Sequence, residues 1–557
     1  MFSPDQIEAL RIQSGQIISP VIEFLISDIA SRIAEAGQLT STAAYQIWRA
    51  QNLGISQKKL KKELRKRLKV SHRELRKLLT QAAEVGYDFD ISRFPTVDAI
   101  PFDQNESLQR IVQTAADMAD ENLTNLTQTM GFVTYDGKVT ELTEAYRKSC
   151  DFAFEKIFTG AQDYSSAIRQ ATKGLAENGI QTIDYDSGVH TSLEAAVRGS
   201  FMGGLGIMQE EISQQNHDDL GCDGWEISAH RGSAPDHEPF QGKQYSDAEY
   251  TRLNNSLVRR IGTLNCGHSA MGIIMGINDP QYTPEELAEM KRENVEGITY
   301  EDGKHYTLYE ATQRQRGLER TLRKQKRKIL IDEKTGDEDK LAIDQTRYVI
   351  ADAEYKRFSK AAGLRLQHER ANVPGFGPKQ HSGAEIAART EKEHAAAAAE
   401  AMKFFGVNSK DDLKSIVKRS TIKTKGGFAC FPDGDALNKN VKNVTPLDSF
   451  FDVAMHGSPT AVGFGSEETN MSARTLAAVI RHSKGYSGQK IRLLSCSTGR
   501  IIGDEYCFAE ELSNALGVEV IAPNDVLYVS ENGGLQVGDA SDGEFVTYKP
   551  NQRRRIK

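Results

Sequence analysis

The sequence predicts a multidomain chain, with a mainly α-helical N-terminal body around a small α+β core and a C-terminal α/β sandwich with a mostly parallel sheet. Three observations predict it. Apolar residues recur at helical spacing through most of residues 1–370, and residues 225–282 interrupt that pattern with short apolar runs between loops. Beyond residue 425, strand-like apolar blocks alternate with helical ones. At 557 residues the chain is also too long for one core.

Residues 1–100 read as a helical docking region. Ile18, Ile22, Leu25, Ile29 and Ile33 mark one helix face, and Gly37 is the expected C-cap. Ser41 or Thr42 opens a second helix that ends before Gly54. Ser56 caps a third, and Ser71 with Glu74 forms a capping-box pattern ahead of Leu75, Leu78 and Leu79. The third helix carries Lys58, Lys59, Lys61, Lys62, Arg65, Lys66, Arg67 and Lys69 against Glu63 alone. Two readings fit: a DNA-reading helix-turn-helix, and a solvated or partner-facing surface. The spread of cations around the helix favours the surface.

Residues 101–375 continue as a domain with long helices. Ile111, Ala115, Met118 and Leu123 share one segment, and residues 146–157 form another. Tyr185-Asp-Ser-Gly188 reads as a turn, residues 193–208 as an apolar helix, and residues 225–228 and 273–277 as short strands. Charged helices follow at 306–331 and 337–370, the first dense in Arg and Lys. Residues 376–424 read as a linker with an Ala-rich helix over 391–405, after the break at Pro374-Gly-Phe-Gly-Pro378. Residues 425–557 are the α/β domain, with strands at 450–455, 491–494 and 518–521 and helices at 474–482 and 508–516.

Two constellations carry chemistry. His230, His237, Cys266 and His268 are zinc-binding residue types, and the Cys-x-His pair places both side chains on one side of an extended strand. Zinc would staple a loop-rich region that lacks an obvious core. The six residues between His230 and His237 do not match a zinc-finger spacing, and polar packing, with Asp236 holding His237, is the other reading. Zinc is the one cofactor suggested. In the C-terminal domain, Val453-Ala-Met-His-Gly457 and Ile491-Arg-Leu-Leu-Ser-Cys-Ser-Thr-Gly499 each end an apolar strand at a reactive residue. Adjacent parallel strands deliver such ends to one crevice. There His456 would act as general base, Cys496 as nucleophile and the Gly457 N–H as oxyanion donor. An inert cysteine packed at a strand end is the alternative, and Cys507 reads as core.

The six cysteines are scattered without a C-x-x-C pair, which argues against a disulfide framework and for synthesis in a reducing cytoplasm. The first residues lack the pattern of a secretory signal. No apolar run approaches the roughly 20 residues that span a bilayer.

The run Ser228-Ala-His-Arg-Gly-Ser-Ala-Pro-Asp-His-Glu-Pro-Phe-Gln-Gly-Lys-Gln-Tyr245, followed by Asn265-Cys-Gly-His268, resembles the signature of the phage minor capsid protein 2 family, a branch of the Mu F-like head-morphogenesis proteins. Ser3-Pro-Asp-Gln6, Leu39-Thr-Ser-Thr-Ala-Ala-Tyr-Gln46 and the helix opening at Tyr306 extend the resemblance, in order, over most of residues 1–375. Ala234 departs from it, standing where relatives tend to carry Arg. The resemblance implies a virion protein, made in the host bacterial cytoplasm and bound near the portal in few copies. Portal and head proteins would be its partners, and no enzymatic activity follows; the charge of the basic helices separately suggests packaged DNA as a further partner. His456-Gly457 and Cys496 resemble the caspase-like cysteine peptidases, and residues 491–529 resemble terminal modules of bacterial polymorphic toxins. That likeness implies a carried effector with an immunity protein. The alternatives are a purely structural head protein with an inactive C-terminal interaction module, and a DNA-contacting head protein.

Overall fold

The computed structural model describes residues 4–55, 57–92, 100–183, 190–262, 266–502, 507–540 and 542–550. Ser56, the Tyr185–Gly188 turn and Asn265 lie outside the described residues, as do the side chains of Lys58, Lys59 and Lys61. The chain divides into two compact units, Met1–Glu385 and Ile386–Lys557. Among the described residues no helix is long and apolar enough to cross a membrane. All six cysteines are free.

The first unit opens with α1 (Pro4–Gln16), α2 (Ser19–Gly37), α3 (Thr42–Arg49), a π-helical turn (Ala50–Ile55), α4 (Gln57–Ser92) and α5 (Glu106–Gln128). On α2, Val21, Ile22, Leu25, Ile26, Ile29 and Ile33 are all buried, so the apolar stripe becomes the centre of the body's core. Gly37 is the last helical residue, and the N–H of Gln38 closes the helix onto Glu35 O at 3.1 Å. A Cβ at Gly37 would stand 2.8 Å from Ile157 Cδ1 and 2.9 Å from Ile168 Cδ1, so glycine is there for close packing. The capping box expected at Ser71 does not form. Residue 71 lies inside the 36-residue α4, and its hydroxyl donates to Ile17 O at 2.8 Å, so no helix end needs capping there. On α5 the buried stripe is Leu108, Val112, Ala115, Ala116, Ala119 and Leu123, and Met118 faces outward.

Next come β1 (Met130–Val133), β2 (Val139–Glu141), α6 (Leu142–Phe158), α7 (Tyr164–Asn178), β3 (Gln181–Ile183), β4 (His190–Ser192) and α8 (Leu193–Asp219). These strands form an antiparallel sheet in the order β2-β1-β3-β4. A second antiparallel sheet, β6-β5-β7, joins β5 (Gly224–Ile227), β6 (Gln244–Ser246) and β7 (Ala270–Ile273), with α9 (Asp247–Ser256) between the last two. The strand expected at 273–277 therefore lies earlier in the chain. Residues 275–277 form a turn, with Gly276 at φ 74°. Helix α10 (Pro284–Glu296) and the hairpin β8 (Ile298–Thr299)–β9 (His305–Tyr306) lead to the antiparallel pair α11 (Leu308–Thr335) and α12 (Glu338–Ala361). Gly336 in the left-handed region, φ 71°, ends α11. The basic run of α11 is largely used inside the body: Lys326 Nζ donates to Ala371 O at 2.8 Å and Arg327 Nη2 to Glu177 O at 3.2 Å.

After a 3₁₀ turn (His368–Ala371), the chain continues through α13 (Pro378–Phe405), α14 (Lys410–Ser420), β10 (Ile422–Lys423), β11 (Gly427–Ala429), α15 (Leu437–Asn440), β12 (Phe450–Ala454), β13 (His456–Gly457), β14 (Val462–Gly463), α16 (Ala473–His482), β15 (Lys490–Leu494), α17 (Phe508–Leu516), β16 (Val520–Pro523), β17 (Leu527–Val529), β18 (Leu535–Val537) and β19 (Phe545–Tyr548). The six-stranded sheet runs β10-β11-β12-β15-β16-β19. Its four central strands are parallel and both edge pairs antiparallel. Strand residues alternate between two cores: Phe451, Val453, Ile491 and Leu493 pack with α16 and α17, whereas Ala454 and Leu494 pack with Phe431, Leu527 and Val537. Ala397, Ala401, Leu413 and Val417, from the stretch read above as a linker, are buried in the first of these cores.

Candidate functional sites

The loops flanking the β5–β7 pair bring three of the four anticipated ligands together. The Ser228 N–H donates to Ser269 O and the Ser269 N–H to Ser228 Oγ, both at 2.9 Å, and this holds the Cys266–His268 segment against the start of the 228–243 loop. His237 Nδ1 stands 3.1 Å from Cys266 Sγ, and His268 Nδ1 stands 3.4 Å from the same sulfur. All three residues are buried, and their ligand atoms lie within 4.8 Å of one another, so the cluster can hold a metal ion. The far ring nitrogens are anchored: His237 Nε2 to Arg259 O at 2.8 Å, and His268 Nε2 to Gln241 Oε1 at 3.0 Å and Ser233 Oγ at 3.2 Å. Donation from Nε2 to those oxygens leaves each Nδ1 lone pair facing the sulfur, the outer-shell arrangement found around metal-bound histidines. Tetrahedral N–Zn–S bonding places N and S about 3.6 Å apart, close to the spacing here.

His230 is not part of that group. Its ring lies tilted against His268 with centroids 4.4 Å apart, Nδ1 bonds Arg231 O at 3.0 Å, and the buried Nε2 has no hydrogen-bond partner among the described residues. The expected hold of Asp236 on His237 does not form either. Their atoms are 3.7 Å apart, and the carboxylate takes two bonds from Arg259 Nη2, at 2.7 and 3.0 Å. Burial, reinforced by His230 and His237, pushes the His268 imidazole down to about 2, and burial likewise lowers His230 and raises the Cys266 thiol.

In the second unit, Ala454 pairs with Leu494 in the parallel β12–β15 register, so His456 and Cys496 leave neighbouring strands at the same end. Each lies two residues beyond the paired positions. The His456 ring packs edge-on against Phe431, centroids 5.1 Å apart, and Cys496 packs into the cluster that includes Phe431 and Leu527. His456 Nε2 is 2.8 Å from Asp435 Oδ2, a partner missed from sequence, although Pro432-Asp-Gly-Asp435 has a turn signature just after β11, the strand beside β12. Cys496 Sγ accepts the Leu527 N–H at 3.4 Å, and among the described residues no hydrogen bond joins it to His456. Ser497, next to it, takes φ 56°, an uncommon left-handed value for a residue with a side chain. A Cβ on Gly457 would lie 2.2 Å from Ser495 Oγ, so close packing of the two strand ends already requires glycine there. Cys507 is buried core, as expected.

Comparison with known proteins separates the two units. Residues 2–359 match the family model described as phage minor capsid protein 2, which marks the chain as a phage capsid protein. The chain belongs to the phage minor capsid protein 2 family. Residues 427–537 match a domain of unknown function, DUF8616, which brings no activity with it. No curated protein and no solved structure matches the chain.

Proposed function

We propose that this chain is a portal-proximal head-morphogenesis protein of a tailed-phage virion, with zinc at His237, Cys266 and His268. We further propose that its second unit is a carried effector, with Cys496 as nucleophile, His456 as base and Asp435 as the orienting group. The family match over residues 2–359 supports the head role. Zinc would fix two loops that share little apolar core, and Cys266 would release its proton to solvent on binding. Metal analysis should find about one zinc per chain, lost in a Cys266→Ser/His268→Ala double variant.

The observation that carries the effector half is the exit of His456 and Cys496 at the same end of the neighbouring parallel strands β12 and β15, with Asp435 holding the imidazole. The bond to Nε2 leaves Nδ1 to take the thiol proton. The thiolate would add to an acyl carbon, the imidazolium would protonate the leaving group, and water would hydrolyse the thioester. The bond from Leu527 to the sulfur favours a second reading, an interaction module with no chemistry. Iodoacetamide labelling of the full chain decides between them. Selective modification of Cys496, with hydrolysis of peptide or ester substrates abolished by Cys496→Ala and His456→Ala, supports the effector; neither labelling nor hydrolysis leaves the module. An immunity protein for an active unit would cover these strand ends.

A further inference from the structure

The first unit gathers six arginines around one cavity. A cavity of about 310 Å³ lies between α1, α8, α11 and the 3₁₀ turn, lined by Arg11, Arg198, Arg316, Arg320, Arg323 and Arg370. Three lining residues are acidic, Glu194, Glu319 and Glu369, half the number of arginines. Three nearby carboxylates pair with these arginines, although Glu8 Oε1 and Glu319 Oε1 keep no hydrogen bond among the described residues. Arg370 takes Glu8 at 3.1 Å and Glu319 at 3.5 Å, Arg11 takes Glu8 at 3.0 Å, and Arg323 stands 3.8 Å from Glu194.

Arg198 and Arg316 make no hydrogen bond or ion pair among the described residues, and Arg316 Nε is buried without a partner. Burial pushes the Arg316 guanidinium down to about 10, with Arg370 and Arg11 adding repulsion. Arg198 is lowered by burial and then by Arg323 and Arg370. Arg198 and Arg316 are half-buried, and the carboxylates that offset them, Glu194 for the first and Glu8 and Glu319 for the second, are fewer than the arginines gathered here, which leaves excess positive charge in the cavity. Ser19, at the N-terminus of α2, opens onto the same cavity, and the preceding Ile18 supplies no side-chain cap.

We propose that this cavity binds a compact phosphate-bearing anion, of diphosphate or nucleotide-phosphate size, with Arg198 and Arg316 as its principal ligands. Guanidinium forks match phosphate oxygens bidentately, and a di- or triphosphate fills a space of this order. A DNA duplex is too wide to enter it. Arg11 and Arg316 also line the adjoining space of about 340 Å³ beside His230 and His268, so a longer ligand has room to extend there.

The test is thermal unfolding and calorimetric titration of the full chain with sodium pyrophosphate, sodium sulfate at equal ionic strength, and a short DNA duplex at equal phosphate concentration. Pyrophosphate should raise Tm more than sulfate does. Arg316→Gln and Arg198→Gln should each weaken its Kd about tenfold or more, the scale of a charge-assisted contact. Both variants should melt no lower than the parent without ligand, because each relieves repulsion from the neighbouring arginines. That opposite sign separates lost binding from lost folding. Equal shifts from pyrophosphate and sulfate, unaltered binding in both variants, or binding of DNA alone would overturn the proposal.

Discussion

Arg492 and Asp452 show what a single pair contributes to the second unit. Arg492 Nε and Nη2 meet the two Asp452 oxygens at 2.7 and 2.6 Å, and both side chains are buried on facing positions of β15 and β12. Removing one partner leaves a buried charge alone, so Asp452→Ala should destabilise this unit by about 3–5 kcal/mol in chemical denaturation. A loss below about 1 kcal/mol would show that water reaches the pair. Gly457→Ala tests the strand-end geometry. With a Cβ 2.2 Å from Ser495 Oγ and 3.1 Å from Cys496 O, it should cost about 1–3 kcal/mol by overpacking. Asp332 is a pH probe. Burial pushes its carboxyl up to about 6, and Oδ2 has no hydrogen-bond partner among the described residues. A raised folded-state pKa means that its stabilising effect is complete below the ordinary carboxylate value and is lost as pH rises through about 6. Asp332→Asn should therefore raise Tm at pH 8 and leave it nearly unchanged at pH 4; an equal change at both would refute the assignment.

At the scale of elements, the sequence was most legible where periodicity and burial agree. The α2 stripe and the central strands β12, β15 and β16 fall where the apolar pattern puts them because each is buried on the faces it shows. Ile29 is wholly buried there, and Ile29→Ala should cost about 2–5 kcal/mol in the first unit's unfolding. Local signals misled where tertiary contacts decide. Ser71 with Glu74 has the capping pattern, yet Ile17 O takes the hydroxyl, and Gly37 answers Ile157 and Ile168, not a turn. For the metal cluster, the Cys-x-His pair and His237 were readable from residue type. What decided against His230 was its rotation toward Arg231 O, which spacing does not encode. Arg316 was illegible for a related reason, since a basic run on a charged helix reads as surface, and Arg198 stands on a helix read as apolar; the cavity they line exists only because α1 packs on α8 and α11 on α2.

At the scale of the molecule, two compact units with separate cores predict two unfolding transitions in calorimetry, with zinc removal lowering the first unit's transition and leaving the second in place. A single transition that chelation shifts as a whole would contradict that independence. The central claim concerns the head, and cross-linking mass spectrometry of purified phage particles tests it most directly. The intact chain should be present in far fewer copies than the major shell protein, with cross-links from lysines of residues 1–385 to portal subunits. Absence of the chain from particles, or cross-links only to the shell or tail, would contradict it.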